Sequence, residues 1–208
     1  EAGVNINRII RQTVNAGLGG LEQLAGIPGT VGGGTAMNAG NGPDACFGKH
    51  ITKLSVFSPE EGVVHTIKGS EVPWAYRHWN MPDGWVVLAI ELELEPGDAA
   101  ELKTEMERCE KRKGDNQPLR EASSGCMFKN PEGGPSAGKL IQDCELKGWS
   151  QGGASVSDLH ANFIVNGDRK ASSGDVKRLM ERVVAEVHER TGYLLEPEVV
   201  FAPDHALV

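Results

Sequence analysis

Apolar residues recur at helical spacing near both ends of the chain. Ile6, Ile9, Ile10, Thr13 and Val14 share one face, with Asn5 placed to cap and Gly17 to stop, which predicts a first helix. Val176, Leu179, Met180, Val183, Val184 and Val187 predict a last helix, capped by Ser172 or Ser173 and ended by Gly192. Between them the period changes to two. Over Ile51–Phe57, Ile51, Lys53, Ser55 and Phe57 lie to one side and Leu54 and Val56 to the other. Gly62–Ile67 is rich in β-branched residues, and Ser58-Pro-Glu-Glu-Gly62 reads as the turn of a hairpin. Trp85–Leu94 begins as an apolar run and then alternates, as a strand leaving a buried sheet would. Asp98 and Glu101 form a capping pair before a charged helix that Gly114 to Pro118 should break near Lys113. Ala137–Cys144 predicts a short helix and Phe163–Asn166 a short strand. Strands and helices mix without βα alternation, so the fold class is α+β.

Glycine changes this picture. It supplies 27 of the 208 residues, nearly twice the usual ~7%. Ten of the 27 fall between Gly17 and Gly42, yet Leu18, Leu21, Leu24, Ile27, Val31 and Met37 recur through the same stretch as anchors. That predicts a folded loop built for close backbone approach. Neither G-x-x-x-x-G-K-[ST] nor a helix-opening G-x-G-x-x-G is present, since Gly48-Lys49 is followed by His50. The amides of Gly29–Gly34 read equally as a pyrophosphate nest or as a structural turn. The net charge of −8 argues against nucleic acid and against anionic membrane surfaces as partners. The longest apolar run, Trp85–Ile90, is far short of the ~20 residues of a membrane span. The four cysteines have neither C-x-x-C nor zinc spacing, so no metal is expected and free thiols in a reducing cytoplasm are the plain reading.

Several blocks now stand out in order: Leu18-Gly-Gly-Leu through Gly26-Ile-Pro-Gly-Thr-Val-Gly-Gly33 with Met37-Asn-Ala-Gly40; Tyr76-Arg77; Gln117-Pro118 leading to Ser124-Gly-Cys-Met-Phe-Lys-Asn-Pro131; Ala137-Gly-Lys-Leu-Ile141 with Leu146-Lys-Gly148; His160-Ala-Asn-Phe-Ile-Val-Asn166; and Leu195-Glu-Pro-Glu-Val199. Together they resemble the UDP-N-acetylenolpyruvylglucosamine reductase (MurB) family, in its shorter type without an extra substrate-covering loop. The resemblance implies reduction of the enolpyruvyl ether of a UDP-sugar to UDP-N-acetylmuramate in the bacterial cytoplasm. FAD would be the bound cofactor and NADPH the reductant. It also implies a partial FAD-binding domain over 1–114, a substrate-binding domain over 115–192, and a segment over 193–208 returning to the FAD region.

By that resemblance Arg77, Cys126 and Glu198 are the catalytic residues. Arg77 would hold the substrate carboxylate as negative charge builds on it. Glu198 would donate to the enolate or position the arginine. Cys126 stands where the family usually has serine as proton donor; a thiol, with a reference pKa of ~8.5, can do that work. Gly29, Thr30, Gly32, Gly33, Asn38 and Gly40 would contact the cofactor. Tyr76, Gln117, Lys129 and Asn130 would contact the substrate. From the residues alone, Lys129 reads as readily as a plain turn lysine, Glu196 as an exposed strand glutamate, His160 as a structural turn residue, and Lys139 as solvated.

Two departures accompany the resemblance. Phe201-Ala-Pro203 replaces Phe-x-Gly, and Asn41-Gly-Pro-Asp44 replaces an aromatic–glycine pair. The family also carries an N-terminal FAD-binding lobe ahead of the first helix. Here that lobe is expected from a missing segment or a separate chain, and without it an apolar face would be left uncovered. The readings that follow are a reductase seen in part, one half of a split enzyme, or a module that binds the UDP-sugar but holds no FAD.

Overall fold

The structure, a computed structural model, describes residues 1–42 and 45–202. Pro43, Asp44 and Pro203, which belong to the two departures above, and the 203–208 part of the expected returning segment lie outside the described residues. The chain is mixed helix and sheet, in two compact units: Glu1–Lys113, and the chain from Gly114 onward. No helix among the described residues is long and apolar enough to cross a membrane.

In the first unit, helix α1 (Ile6–Asn15) starts where Asn5 accepts the Arg8 N–H, and it buries Ile6, Ile10 and Val14. Strand β1 (Leu18–Gly19) follows. Helix α2 (Val31–Ala36) then rises from the glycine stretch, where the sequence predicts only a loop. Three glycines in six residues oppose a helix by ~1 kcal/mol each. The Thr30 cap on the Gly33 N–H and tight packing override that preference: a Cβ on Gly34 would sit 2.9 Å from Ile6 Cδ1.

Strands β2 (Ile51–Ser58), β3 (Val63–Lys68) and β4 (Val86–Leu92) form an antiparallel sheet in the order β3-β2-β4. The hairpin is as the pattern predicts. The face assignment within β2 is not, because the register with β4 slips between Ile51 and Lys53. That bulge brings Ile51 to the buried side along with Leu54 and Val56. The apolar run of β4 is likewise no buried strand: β4 is an outer strand, and Val86 and Leu88 are exposed. Val64, Phe57 and Val86 make one lateral row across the sheet, of which the two outer members are exposed. Strand β5 (Glu95–Pro96) pairs with β1, and helix α3 (Ala99–Asn116) runs on through Gly114 instead of breaking there. Phe47, Leu21, Leu24, Leu54, Val56, Met106 and Cys109 complete the core of this unit.

In the second unit, β6 (Ser123–Cys126), helix α4 (Ala137–Asp143), β7 (Ser150–Gln151), β8 (Ala154–Val156), β9 (Phe163–Val165) and helix α5 (Ser173–Thr191) follow in order. The antiparallel sheet runs β6-β9-β8-β7. Ser172 and Asp175 form a capping box at the start of α5, and Gly192, at φ +76°, ends it. Hydrogen bonds from the Ser172 backbone and hydroxyl hold the Asp175 carboxyl below its ordinary pKa. Leu179, Met180, Val183 and Val187 of α5 pack with Leu140, Ile141, Val156 and Ile164.

Candidate active-site elements

In the first unit, Arg77 sits on a tight turn. The Ala75 N–H donates to the His78 carbonyl at 2.9 Å, and the His78 N–H returns to Ala75 at 3.3 Å. Arg77 is left-handed, at φ +58°, an arrangement that costs a non-glycine residue on the order of 1 kcal/mol or more. Asn80 braces the turn by donating its side-chain amide to the Pro73 carbonyl at 2.8 Å. The Arg77 guanidinium lies 4.9 Å from the centroid of the Tyr76 ring. Arg77, Lys49, Cys46, Trp74 and Tyr76 line a cleft of about 310 Å³. Two cations thus line one cleft of a protein whose net charge is −8.

Asn38 also reaches this cleft, but its side chain is committed elsewhere. It is buried, at 6% exposure. Its Oδ1 accepts the Gly48 N–H at 2.9 Å and its Nδ2 donates to the Ala75 carbonyl at 2.9 Å. Gly40 faces its own chain, since a Cβ there would lie 2.2 Å from the Ala45 carbonyl oxygen.

The amides of the glycine loop are taken as well. Val31 N–H donates to Val4 and Gly32 N–H to Ala2, each at 2.8 Å; Gly34 N–H donates to Thr30 at 2.9 Å. Gly33 N–H reaches Thr30 Oγ1 at 3.3 Å. A pyrophosphate nest needs free N–H groups converging on one point, so Val31–Gly34 do not fit a flavin pyrophosphate. Of the two readings of this loop, the structural turn describes them. Gly29, at φ +117° with nothing within 4 Å of a Cβ position, and Thr30 beside it form the open edge of the loop.

In the second unit, Cys126 ends β6 opposite Phe163 of β9. The pairing slips between Ser123 and Cys126, and Gly125 takes φ +82° there, a bulge that sets the direction of Cys126. The following loop is pinned twice. Asn162, 4% exposed, accepts the Phe128 N–H at 3.0 Å and donates to the Phe128 carbonyl at 2.8 Å. On its other side the loop pairs antiparallel with 196–198: Lys129 N–H donates to Glu196 and Glu198 N–H to Met127, each at 2.8 Å. Glu198 is thereby held one residue across from the Cys126 segment. The Lys129 ammonium meets the Glu196 carboxylate at 2.6 Å, so a phosphate there would compete with that pair.

Asn130 accepts the Ala137 N–H at 3.0 Å and, with Cys126, Lys139, Gln142, His160 and Asn162, lines a cavity of about 430 Å³. His160 accepts the Asn162 N–H on Nδ1 at 3.3 Å, which leaves its proton on Nε2. Burial, with the Lys147 charge adding to it, lowers its pKa and holds it neutral. Gln117 directly follows α3, and its carbonyl accepts the Leu119 N–H at 2.8 Å. Within the second unit the structure thus pairs the segment after Cys126 with the one carrying Glu198, and brings Cys126 and Asn130 into one cavity. Within the first it brings together Arg77, Tyr76 and Asn38.

Sequence reasoning missed three contributors: Lys49, the cation beside Arg77; Asn162, the clamp on the Cys126 loop; and His160 as a wall of the cavity. An asparagine between apolar residues at 161 and 163, just before a short strand, signals a satisfied buried amide, and that clue was available for Asn162. Nothing local distinguishes Lys49.

A family model described as the UDP-N-acetylenolpyruvoylglucosamine reductase C-terminal domain matches residues 117–202. The UDP-N-acetylenolpyruvoylglucosamine reductase of Synechococcus sp. (strain WH7803) is 41% identical over 203 residues, covering 95% of this chain and 64% of the relative. That of Moorella thermoacetica is 37% identical over 198 residues, with the same coverage, 95% and 64%. A crystal structure of UDP-N-acetylenolpyruvylglucosamine reductase (MurB) from Thermus caldophilus is similar with a TM-score of 0.84 and 35% identity, over 97% of this chain and 71% of that one. The chain spans 64% of the length of these two curated relatives. Identity and fold similarity that both run through nearly the whole chain leave one assignment: it belongs to the UDP-N-acetylenolpyruvoylglucosamine reductase family.

Proposed function

We propose that this chain supplies the substrate-side machinery of an NADPH-dependent flavoprotein that reduces the enolpyruvyl ether of UDP-N-acetylglucosamine-enolpyruvate to UDP-N-acetylmuramate, a cytoplasmic step toward peptidoglycan. The observation that carries the reading is the antiparallel pairing of 127–129 with 196–198, which holds Glu198 across from the Cys126 segment. Two segments distant in sequence, one carrying Cys126 and the other Glu198, are joined there, and a proton-transfer site needs such convergence.

The residues act on the substrate as follows. Arg77 takes the carboxylate, and its fixed charge gains value as reduction of the alkene pushes electron density onto that group. The Cys126 thiol delivers the proton to the neighbouring carbon, and Glu198 supports the same charge change. Tyr76, Gln117 and Asn130 contact the substrate, with Lys129 as a phosphate partner once it leaves Glu196. FAD, when bound, would supply the reducing equivalents, with NADPH as its reductant. Because the Val31–Gly34 amides are engaged, they would not hold the flavin's pyrophosphate, and Gly29 and Thr30 at the open edge of the loop are what this stretch would offer it.

The test is steady-state turnover with NADPH and the enolpyruvyl UDP-sugar in the presence of excess free FAD. Cys126→Ser should keep much of the activity, and Cys126→Ala should lose about 10²-fold or more. An alanine variant with wild-type turnover removes Cys126 from the chemistry.

A further inference from the structure

We propose that Asn38 is the positioning residue of Arg77, tying the arginine turn to the glycine-rich half of the first unit. It rests on the assignment of Arg77 to the substrate carboxylate. The Arg77 turn is braced locally by the Ala75–His78 backbone bonds and the Asn80 amide on Pro73. On its far side Trp79, 7% exposed, anchors it in the core of the unit.

Two long-range contacts join its near side to the glycine-rich half of the unit. Trp74 lies flat against Gly48, where a Cβ would come 2.6 Å from its ring. Asn38 is the other. One amide side chain accepts from Gly48 and donates to Ala75, two residues before Arg77, so the two segments are joined through a single planar group. The backbone of Asn38 is itself left-handed, at φ +39°, a conformation that asparagine tolerates better than most side chains. Burial then makes each bond costly to lose, because a broken partner has no water to turn to. Loss of that connection weakens the hold on the strained backbone of Arg77.

Asn38→Asp separates this role from general stability. The acid still accepts the Gly48 N–H and tolerates the same backbone angle, but it turns a carboxylate oxygen toward the Ala75 carbonyl. Asn38→Gly keeps the angle and deletes both bonds. The first readout needs no activity: limited trypsin digestion, followed by mass spectrometry. Cleavage after Arg77 should be about tenfold faster in both variants, measured against cleavage after Lys170 in an exposed loop of the second unit. The second is calorimetric affinity for two ligands, the enolpyruvyl UDP-sugar and UDP-N-acetylglucosamine, which lacks the carboxylate. Asn38→Asp should weaken the first by about tenfold and leave the second unchanged.

Unchanged cleavage after Arg77 overturns the proposal, as does an equal loss of affinity for both ligands. A wild-type protein that does not distinguish the two ligands, with the cleavage contrast intact, overturns instead the assignment of Arg77 to the carboxylate and supports the tie between Asn38 and the turn.

Discussion

Lys113 shows how a single residue acquires a task from its surroundings. Its ammonium, on a residue 7% exposed, donates to the Ala25 carbonyl at 2.6 Å and to Leu24 at 3.4 Å, closing the loop that leads into the glycine stretch. Burial is the main reason that its pKa falls from a lysine's ordinary 10.5 to about 8; Arg112 pushes the same way, and Cys109 and Glu110 oppose. The unfolded chain therefore binds more protons between those two values, and stability must rise with pH across that window. The gain is expected to be at most a few kcal/mol, and flat below pH about 8. Urea unfolding of the protein and of Lys113→Met at a series of pH values checks it: the difference between the two should grow only above about 8. None of this was legible in the sequence. Lys111, Arg112 and Lys113 are equivalent in a charged helix, and only the packing of Gly26 and Leu24 against one of them selects Lys113. Asn38 teaches the same lesson: its place in a Met-Asn-Ala-Gly block suggested a cofactor contact, whereas its polar atoms turn inward.

Among elements, those whose pattern is local were readable and those made by packing were not. α1 and α5 follow from their apolar faces and caps, Asn5 and Ser172. α2 was not readable, because its three glycines are favoured by neighbours distant in sequence. The β7–β8 hairpin turns on Gly152-Gly153, a legible signal that passed unread, and Gly152 packs against Asp175 at the start of α5. Glycine thus does opposite things in different elements, and two substitutions expose it. Gly69→Ala puts a Cβ 1.7 Å from the Ile51 carbonyl oxygen, a backbone atom that cannot yield, and should destabilise by about 3 kcal/mol or fold poorly. Gly114→Ala, inside α3 with nothing within 4 Å, should stabilise by about 0.5–1 kcal/mol. Thermal melts of the two variants should move in opposite directions.

At the scale of the whole molecule, each unit has its own core, and the candidate chemistry is divided between them, Arg77 in one and Cys126 with Glu198 in the other. The sequence carried this division through the order of its blocks but could not reveal which backbone amides were already spent. From those amides comes a prediction for the intact chain: mixed with FAD and passed through gel filtration, it should emerge without a flavin absorption band, because Val31–Gly34 have no N–H groups to offer a pyrophosphate. A retained band would show that Gly29, Thr30 and the Arg77 cleft suffice. The ribbon that joins 127–129 to 196–198 spans nearly seventy residues of sequence, and that separation gives the site a place in time. On a ribosome the Cys126 loop is made well before its partner strand, at ~5–20 residues per second, and α5 must emerge in between. A nascent chain therefore carries the Cys126 loop without its partner strand for several seconds, and the ribbon closes only with the arrival of Glu196–Glu198.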